Sequence, residues 1–199
     1  LTVSYFSLNT LFQDKEGQIK ALFNTFESNG PIVSRRLATI AGDVSQHENQ
    51  QENPGYSKGY GRIHQEVLLP AFVAAYAGKD ANTVGLDIFK TRPAINWKLN
   101  YNGLSKVGNL KKIFASVQLT HGYKNTLTMS QYNTDIFYDA NNPYTIDPLN
   151  SNYIARFEIP QVIINEQFSP LLGLDVKLKN DMTLKLDFKK SRTLAMSFI

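Results

Sequence analysis

The side chains best suited to catalysis or metal binding are three histidines and two glutamates. His47, His64 and His121 are scattered, and none lies in an HExxH or HxH spacing, which would bring two imidazoles to one metal. Glu158 and Glu166 could form the carboxylate pair of a glycoside hydrolase, although glutamates on a solvated strand face would give the same pattern. The sequence indicates no substrate cleft around them, and we therefore predict neither an enzyme nor a cofactor.

A polar loop over Asp139–Asn152 offers oxygen ligands in Asp139, Asn141, Asn142 and Asp147. It lacks the turn glycine and the closing glutamate of a calcium loop, so calcium binding remains a hypothesis. No dinucleotide-binding GxGxxG, P-loop or GxSxG motif occurs. The absence of cysteine excludes disulfide scaffolds, cysteine-ligated zinc and thiol nucleophiles.

Composition is that of an ordinary globular protein, with 199 residues, 42% hydrophobic residues and a formal net charge of +4. The longest apolar run, Val67 to Ala77, is shorter than the roughly 20 residues of a membrane-spanning helix. The chain starts at Leu1 inside a strand-like pattern, without Met or a signal peptide, and we expect it to be a piece of a longer protein.

The first half of the chain predicts one strand, two short helices and a loop. Leu1–Leu8 is rich in β-branched and aromatic residues, as strands are. A helix is predicted from Lys15 to Glu27, ended by Asn29-Gly30-Pro31, and Ser34 can cap a short turn after it. Gly42–Gly61 reads as a surface loop. A second helix is predicted over Pro70–Ala77, with Pro70 in its first position and Gly78 just past its end.

From Ile95 onward the apolar period changes from 3.6 to 2, which indicates strands. Asn96–Asn102 alternates, and so does the stretch from Ile113 to Thr120. His121–Asn125 resembles a hairpin turn leading into a strand over Thr126–Tyr132.

The C-terminal residues alternate most regularly and predict two strands joined by a turn at Asn180-Asp181. The phase continues from Phe188 to Leu194 without a slip, so we predict one long strand in which Ser191 pairs with a neighbour. The apolar face comprises Leu172, Leu174, Val176, Leu178, Met182, Leu184, Leu186, Phe188, Leu194, Met196 and Phe198. The opposite face carries Asp175, Lys177, Lys179, Lys185 and Asp187.

The residues from Leu171 to Ile199 include six basic and three acidic side chains, which suggests nucleic-acid binding as a possibility to weigh. Their charges lie on one strand face without interleaved aromatic residues, so we predict no nucleic-acid partner. Cross-strand ion pairs such as Lys177 with Asp187 are expected instead, worth under about 1 kcal/mol each.

Strands of this kind have two physical explanations. In a soluble sandwich the apolar face contacts a second sheet, whereas in an outer-membrane barrel it contacts lipid and the polar face lines a water-filled lumen. Apparent lengths of about 8 to 11 residues favour the barrel, because a tilted strand needs 9–11 residues to cross a bilayer. Aromatic residues near the strand ends favour it too, namely Trp97, Tyr101, Tyr123, Tyr132, Phe168, Phe188 and Phe198. About six or seven strands are too few to close a barrel alone.

The sequence resembles the SprA/Sov family, the giant outer-membrane translocons of the type IX secretion system in Bacteroidetes. Nearly the whole chain shares the likeness. The matching stretches are Asn96–Lys106, Lys112–Lys124, Pro160–Asn180 with its run Glu166–Gly173, and Lys189–Phe198, and upstream Val33–Ala38 and Val67–Asp80.

The resemblance implies a mainly β fold: antiparallel transmembrane strands forming an arc of one very large barrel, with the two short helices in extramembrane loops. Residues 1–94 would be a strand with a helical insertion, and residues 95–199 the barrel strands. The apolar set above would face lipid and the polar set the lumen.

The implied function is structural: part of an outer-membrane pore that exports folded cargo proteins. The implied partners are the remainder of the same barrel chain, a PorV-type shuttle protein, a periplasmic plug protein, secreted cargo and outer-membrane lipid. A soluble or surface-displayed β-rich binding or adhesion module stays open as the alternative.

Overall fold

A computed structural model describes residues 2–3, 16–87, 96–130 and 133–198. Within these residues the fold is mixed α/β, with a mainly antiparallel sheet and three α-helices, rather than mainly β. The strands are β1 (Thr2–Val3), β2 (Trp97–Tyr101), β3 (Phe114–Ser130), β4 (Asn133–Thr134), β5 (Phe157–Glu158), β6 (Gln161–Leu178) and β7 (Thr183–Ser197). The helices are α1 (Glu16–Ala41), α2 (Gln65–Ala77) and α3 (Leu110–Ile113), with a 3-10 turn at Leu104–Lys106. None of the helices in these ranges is long and apolar enough to cross a bilayer.

The main sheet has the order β1–β3–β6–β7, and β2 also pairs with β3. Strand β3 runs without reversal through His121–Asn125, so the hairpin predicted there is wrong; a register shift between Thr120 and Tyr123 takes its place. The predicted turn at Asn180-Asp181 is confirmed, with Asp181 at φ 65°. The continuous strand through Lys189–Arg192 is also confirmed, because Ser191 pairs with Gln167.

Two predictions fall partly or wholly outside the described residues. Of the strand predicted over Leu1–Leu8, only Thr2 and Val3 are described, and they pair with Thr128 and Leu127. Tyr132, the last residue of another predicted strand, lies outside the described ranges.

Helix α1 continues past the residues expected to end it. Asn29, Gly30 and Pro31 all lie inside the helix, although the proline removes one backbone donor. The Asn29 side chain donates to the Ala71 carbonyl of α2 at 3.3 Å. A Cβ at Gly30 would overlap the Tyr56 hydroxyl, so the glycine permits close packing rather than ending the helix. These residues serve tertiary contacts, which explains why local stop signals failed.

Helix α2 begins five residues before the predicted start, because His64 caps it. The His64 Nδ1 accepts a hydrogen bond from the Glu66 backbone N–H at 3.3 Å, so Nε2 carries the proton and donates to the Tyr153 carbonyl at 3.0 Å. Pro70 is consequently an interior residue. The C-terminal prediction is confirmed: Gly78 adopts the left-handed conformation at φ 62°.

The predicted surface loop Gly42–Gly61 and the predicted polar loop Asp139–Asn152 dock against each other over the start of α2. The Tyr153 backbone N–H donates to the Gly59 carbonyl at 2.7 Å, and the Gly61 N–H donates to the Asn152 side chain at 2.6 Å. Gly59 has φ +72°, and a Cβ there would overlap the Tyr153 ring. The loops therefore form a packed structure with a buried polar interior.

The helices cover only one half of the long strands. Their apolar core contains Val33, Val67 and Phe72 together with Leu127, Met129, Val162 and Ile164 of the sheet. We call this covered part, residues 123–130, 161–168 and 190–197, the proximal half. The uncovered part, residues 114–120, 171–178 and 183–189, is the distal half. Helix α2 packs on the proximal half, and the Gln65 side chain in its first turn bonds the Ile159 backbone just before β6.

The buried N-cap of α2 should make stability depend on pH. Burial lowers the pKa of His64 to about 4 from its ordinary 6.5, against the smaller opposing effect of the Tyr153 carbonyl. Between these values the unfolded chain binds the extra proton, so stability should fall as pH drops from about 6.5 to about 4, by up to roughly 3 kcal/mol.

Urea unfolding at several pH values measures this dependence. The His64→Asn variant keeps a capping side chain without a titrating imidazole, so its stability should decline less over the same pH range. Equal declines in the two proteins would show that His64 does not carry the effect.

Candidate functional site

The distal half of the sheet exposes large apolar side chains on one face. Residues paired directly across antiparallel strands share a face. The pairs along β6 and β7 are Leu172–Phe188, Leu174–Leu186 and Val176–Leu184. Leu172, Leu186 and Phe188 are 48%, 41% and 58% exposed, so nothing in the described chain covers them.

Strands β3 and β2 extend this face. Val117 pairs with Val176, and Leu119 pairs with Leu174 on one side and Tyr101 on the other. Leu99 and Tyr101 are more than half exposed. We call the whole surface the distal apolar face, and its members are Leu99, Tyr101, Val117, Leu119, Leu172, Leu174, Val176, Leu178, Met182, Leu184, Leu186 and Phe188.

Three of the residues predicted to face lipid belong to a different environment. Leu194, Met196 and Phe198 are partly buried and pack against the core that the helices form with the proximal half. They continue the phase of Leu186 and Phe188, but α1 and α2 lie over that part of the sheet. The expectation of lipid contact is therefore corrected for these three, and eight of the predicted residues remain on the uncovered face.

The opposite face of the distal half carries the predicted polar set. Lys185 stands directly opposite Asp175, and their side chains form an ion pair at 3.7 Å. Lys177 pairs with Asp181 in the turn at 3.0 Å instead of with Asp187, because the turn carboxylate is nearer. Lys179 and Asp187 are exposed beside them. Such exposed pairs contribute little stability, under about 1 kcal/mol each, and the surface is a charged, solvated one.

A buried charge network marks the border between the two halves. The Glu166 side chain is fully buried, and the Arg192 guanidinium donates to its Oε2 from Nε at 2.9 Å and also from a terminal nitrogen. The Tyr123 hydroxyl and the Asn125 amide each donate to Oε1 at 3.0 Å. The network joins β3, β6 and β7, so it links three strands at a single height. In the described residues, no buried side-chain nitrogen or oxygen lacks a partner.

An aromatic cluster lies next to this network. The rings of Trp97 and Tyr123 have centroids 4.7 Å apart, and those of Tyr123 and Phe168 are 5.0 Å apart. His121 stacks near Phe168, and its Nδ1 donates to the Leu171 carbonyl at 2.6 Å. Of the aromatic residues predicted near strand ends, Trp97 is at the start of β2, whereas Tyr123 and Phe168 lie in the middle of β3 and β6.

The residues singled out for catalysis or metal binding are not brought together. Glu166 lies in the buried network, whereas Glu158 lies on β5 opposite Asn133. His47 is buried between loops, and its Nε2 is 3.3 Å from the Asn152 side chain. Over the described ranges, no group of three or more histidine and acidic side chains is placed to hold a metal ion.

The carboxylates of the proposed calcium loop act within the backbone turns. The Asp139 carboxylate accepts the Asn141 backbone N–H at 2.8 Å, and the Asp147 carboxylate accepts the Leu149 N–H at 2.9 Å. These are Asx turns, in which an Asp or Asn side chain accepts the backbone N–H two residues further on, and they explain why Asp and Asn cluster in this loop.

The buried network is the feature that the sequence reasoning missed. A signal for it exists: Glu166 interrupts the apolar phase of β6, and Lys190 and Arg192 interrupt that of β7. Once the strand pairing is known, Glu166 and Arg192 are seen to stand directly opposite each other on the apolar face, which predicts an ion pair.

No family model matches the chain, and no curated protein matches it.

The network should contribute far more to stability than the exposed ion pairs. Replacing Arg192 with Met leaves the Glu166 carboxylate buried without its cation, which typically costs about 3–5 kcal/mol. Urea unfolding measures the loss. The matched control, Lys185→Met, breaks the exposed pair with Asp175 and should cost under about 1 kcal/mol.

The double variant Glu166→Gln with Arg192→Met should recover part of the loss, because it leaves no buried charge unpaired and keeps an amide oxygen to accept the hydrogen bonds of Tyr123 and Asn125. An Arg192→Met variant as stable as Lys185→Met would show that the network does not hold the strands together.

Proposed function

We propose that this chain forms part of the wall of an outer-membrane pore that exports folded proteins, as its resemblance to the SprA/Sov translocons implies. The role is structural and non-enzymatic. The observation that carries the proposal is the distal apolar face: four strands expose one apolar surface directly behind a charged one.

The two faces of the distal half need different solvents. Monomeric soluble proteins rarely leave a contiguous apolar surface of this kind uncovered, because each exposed apolar side chain forgoes a favourable transfer from water. Lipid on the apolar face and lumenal water on the charged face would satisfy both. This arrangement assigns lipid contact to Leu172, Leu174, Val176, Leu178, Met182, Leu184, Leu186 and Phe188.

The dimensions of the sheet agree with a membrane crossing. The uncovered part of β6, residues 171–178, reaches the roughly 9–11 residues that a tilted strand needs when it is extended to the aromatic cluster at Phe168. The Trp97–Tyr123–Phe168 cluster lies at one end of it, where aromatic side chains are favoured at a membrane interface. The proximal half and its helices would then lie outside the bilayer, which is where the resemblance puts the helical segment.

An arc of this kind needs neighbours. Among the described strands β7 pairs only with β6, so its other edge has backbone groups to satisfy, and open edges do not occur in lipid. We propose that a strand from the remainder of the same barrel chain pairs with β7 at that edge. The proposal also includes the shuttle, plug and cargo proteins that the resemblance implies as partners.

Cysteine accessibility tests the assignment of the two faces, since the chain contains no cysteine of its own. Lys185 and Leu186 are neighbours that point to opposite sides of β7. In isolated outer membranes, a Lys185→Cys variant should react with a membrane-impermeant maleimide, and a Leu186→Cys variant should react only after denaturation.

A Leu194→Cys variant is the matched control, because its side chain packs on the helical layer rather than on lipid. A lipid-soluble maleimide should label the Leu186 variant in intact membranes but not the Leu194 variant. Equal labelling of the Lys185 and Leu186 variants by the impermeant reagent would refute lipid contact.

A charge on the distal apolar face should disrupt folding in membranes. Leu186→Arg should cost about 2–4 kcal/mol if Leu186 lies near the bilayer midplane. Thr183→Arg, on the other face, should be tolerated. The amount of folded protein in the outer membrane measures both, and normal assembly of Leu186→Arg would argue against the proposal.

The alternative is a soluble or surface-displayed β-rich binding module. It is favoured by the helical layer, which gives the proximal half a protein core with Leu127 and Met129 fully buried. A module of this kind would fold in water without detergent, and both Lys185 and Leu186 cysteine variants would react with the impermeant maleimide.

A further inference from the structure

An open cavity of about 460 Å³ lies where β2, β3 and β6 meet near the border of the two halves. It is lined by Asn96–Lys98, Gly122–Lys124, Gln167 and Ser169. The exposed side chains of Lys98, Lys124 and Gln167 alternate with the apolar-face residues Trp97, Tyr123 and Phe168, so the cavity opens on the polar side of the sheet. Its volume lies within the range of small-molecule sites.

The cavity exists because Gly122 has no side chain at its centre. Lys98 stands directly opposite Gly122 on β2, and Gln167 stands directly opposite Lys124 on β6. A Cβ on Gly122 would lie 3.1 Å from the Ser169 carbonyl oxygen, so the β3 and β6 backbones approach closely there. The side chains of Lys98, Lys124 and Gln167 thus surround the exposed backbone at Gly122, which forms the bottom of the cavity.

The charge of the cavity has one sign. Its only charged lining residues are Lys98 and Lys124, which occupy diagonal positions on one face of adjacent strands, roughly 7 Å apart at the backbone. Within the described ranges no ion pair involves either lysine. Elsewhere on this side of the sheet a lysine does have a carboxylate nearby, as Lys185 has Asp175. Two adjacent ammonium groups without a carboxylate form a site for an anion.

We propose that this cavity binds a small phosphorylated molecule, with its phosphate between Lys98 and Lys124. Lysine binds phosphate as a point charge, whereas planar carboxylates are recognised better by the arginine fork, which is absent from the lining. The Gln167 amide and the Ser169 hydroxyl add neutral donors. The cavity has room for more than a bare phosphate ion, so a phosphate monoester such as a sugar phosphate fits it.

The site does not depend on the proposed function. It lies on the polar side of the sheet, which meets water in a pore lumen and in a soluble module alike. Failure of this proposal would leave the assignment of the distal apolar face untouched, and the reverse also holds.

The single tryptophan of the chain, Trp97, belongs to the lining of the cavity and directly precedes Lys98, although its ring stacks on Tyr123 on the other face of the sheet, so a change in its fluorescence reports binding without a label. Titrating the whole chain with glucose 6-phosphate should give a saturable change in Trp97 emission. Inorganic phosphate should bind more weakly, and glucose or acetate at the same ionic strength should give no saturable change.

Variants locate the binding. Lys98→Gln and Lys124→Gln should each weaken glucose 6-phosphate binding at least tenfold, whereas Lys189→Gln, an exposed lysine on the same side of β7, should leave it unchanged. Circular dichroism checks that each variant is folded, and isothermal calorimetry repeats the titration without relying on Trp97.

No saturable binding by either method would overturn the proposal, and so would equal affinities in the Lys98, Lys124 and Lys189 variants. Saturable binding of glucose equal to that of its phosphate would overturn it as well, because the site would then recognise the sugar rather than the anion.

Discussion

Successive side chains of a β-strand point to opposite faces. Here that rule extends along strands of 15 to 18 residues, which the helices cover over only part of their length. Strand β7 keeps one phase from Leu184 to Met196 without a bulge, so a single face includes both Leu186 and Leu194. The helices cover Leu194 and leave Leu186 exposed. A single sequence pattern therefore serves two environments, and the rest of the architecture follows from where the helical layer stops.

That boundary is where the sheet concentrates its polar and aromatic chemistry. The buried Glu166 of β6 accepts from Arg192 of β7 and from Tyr123 and Asn125 of β3, so it links the three long strands next to the ring cluster of Tyr123 and Phe168. A slip of one residue between β6 and β7 would separate the two charges and also reverse every apolar side chain. The ion pair thus specifies the register on which the separation of the two faces depends.

The sequence predicted what depends on local pattern and missed what depends on distant contacts. The alternation at Leu172–Leu178 and Met182–Phe188, their tight turn, and the glycine at the end of α2 were all predictable, because each signal involves near neighbours. The passage of α1 through Gly30 and Pro31 was not, because Tyr56 and Ala71 decide it. The pattern also could not show which apolar residues of β7 the helices cover, and it missed the cavity at Gly122, which requires three paired strands.

The outer edge of β7 has a further effect on assembly. If a second copy of the chain paired its own β7 antiparallel at this edge, centred on Lys190 in the middle of the strand, the two Lys190 side chains would stand directly opposite each other, and Arg192 of each copy would lie diagonally across from Lys190 of the other. Like charges directly opposite each other oppose pairing, and lysines on exposed edges are a common protection against aggregation. The basic centre of β7 therefore disfavours fibril-like stacking of identical chains and leaves the edge for a strand of different sequence.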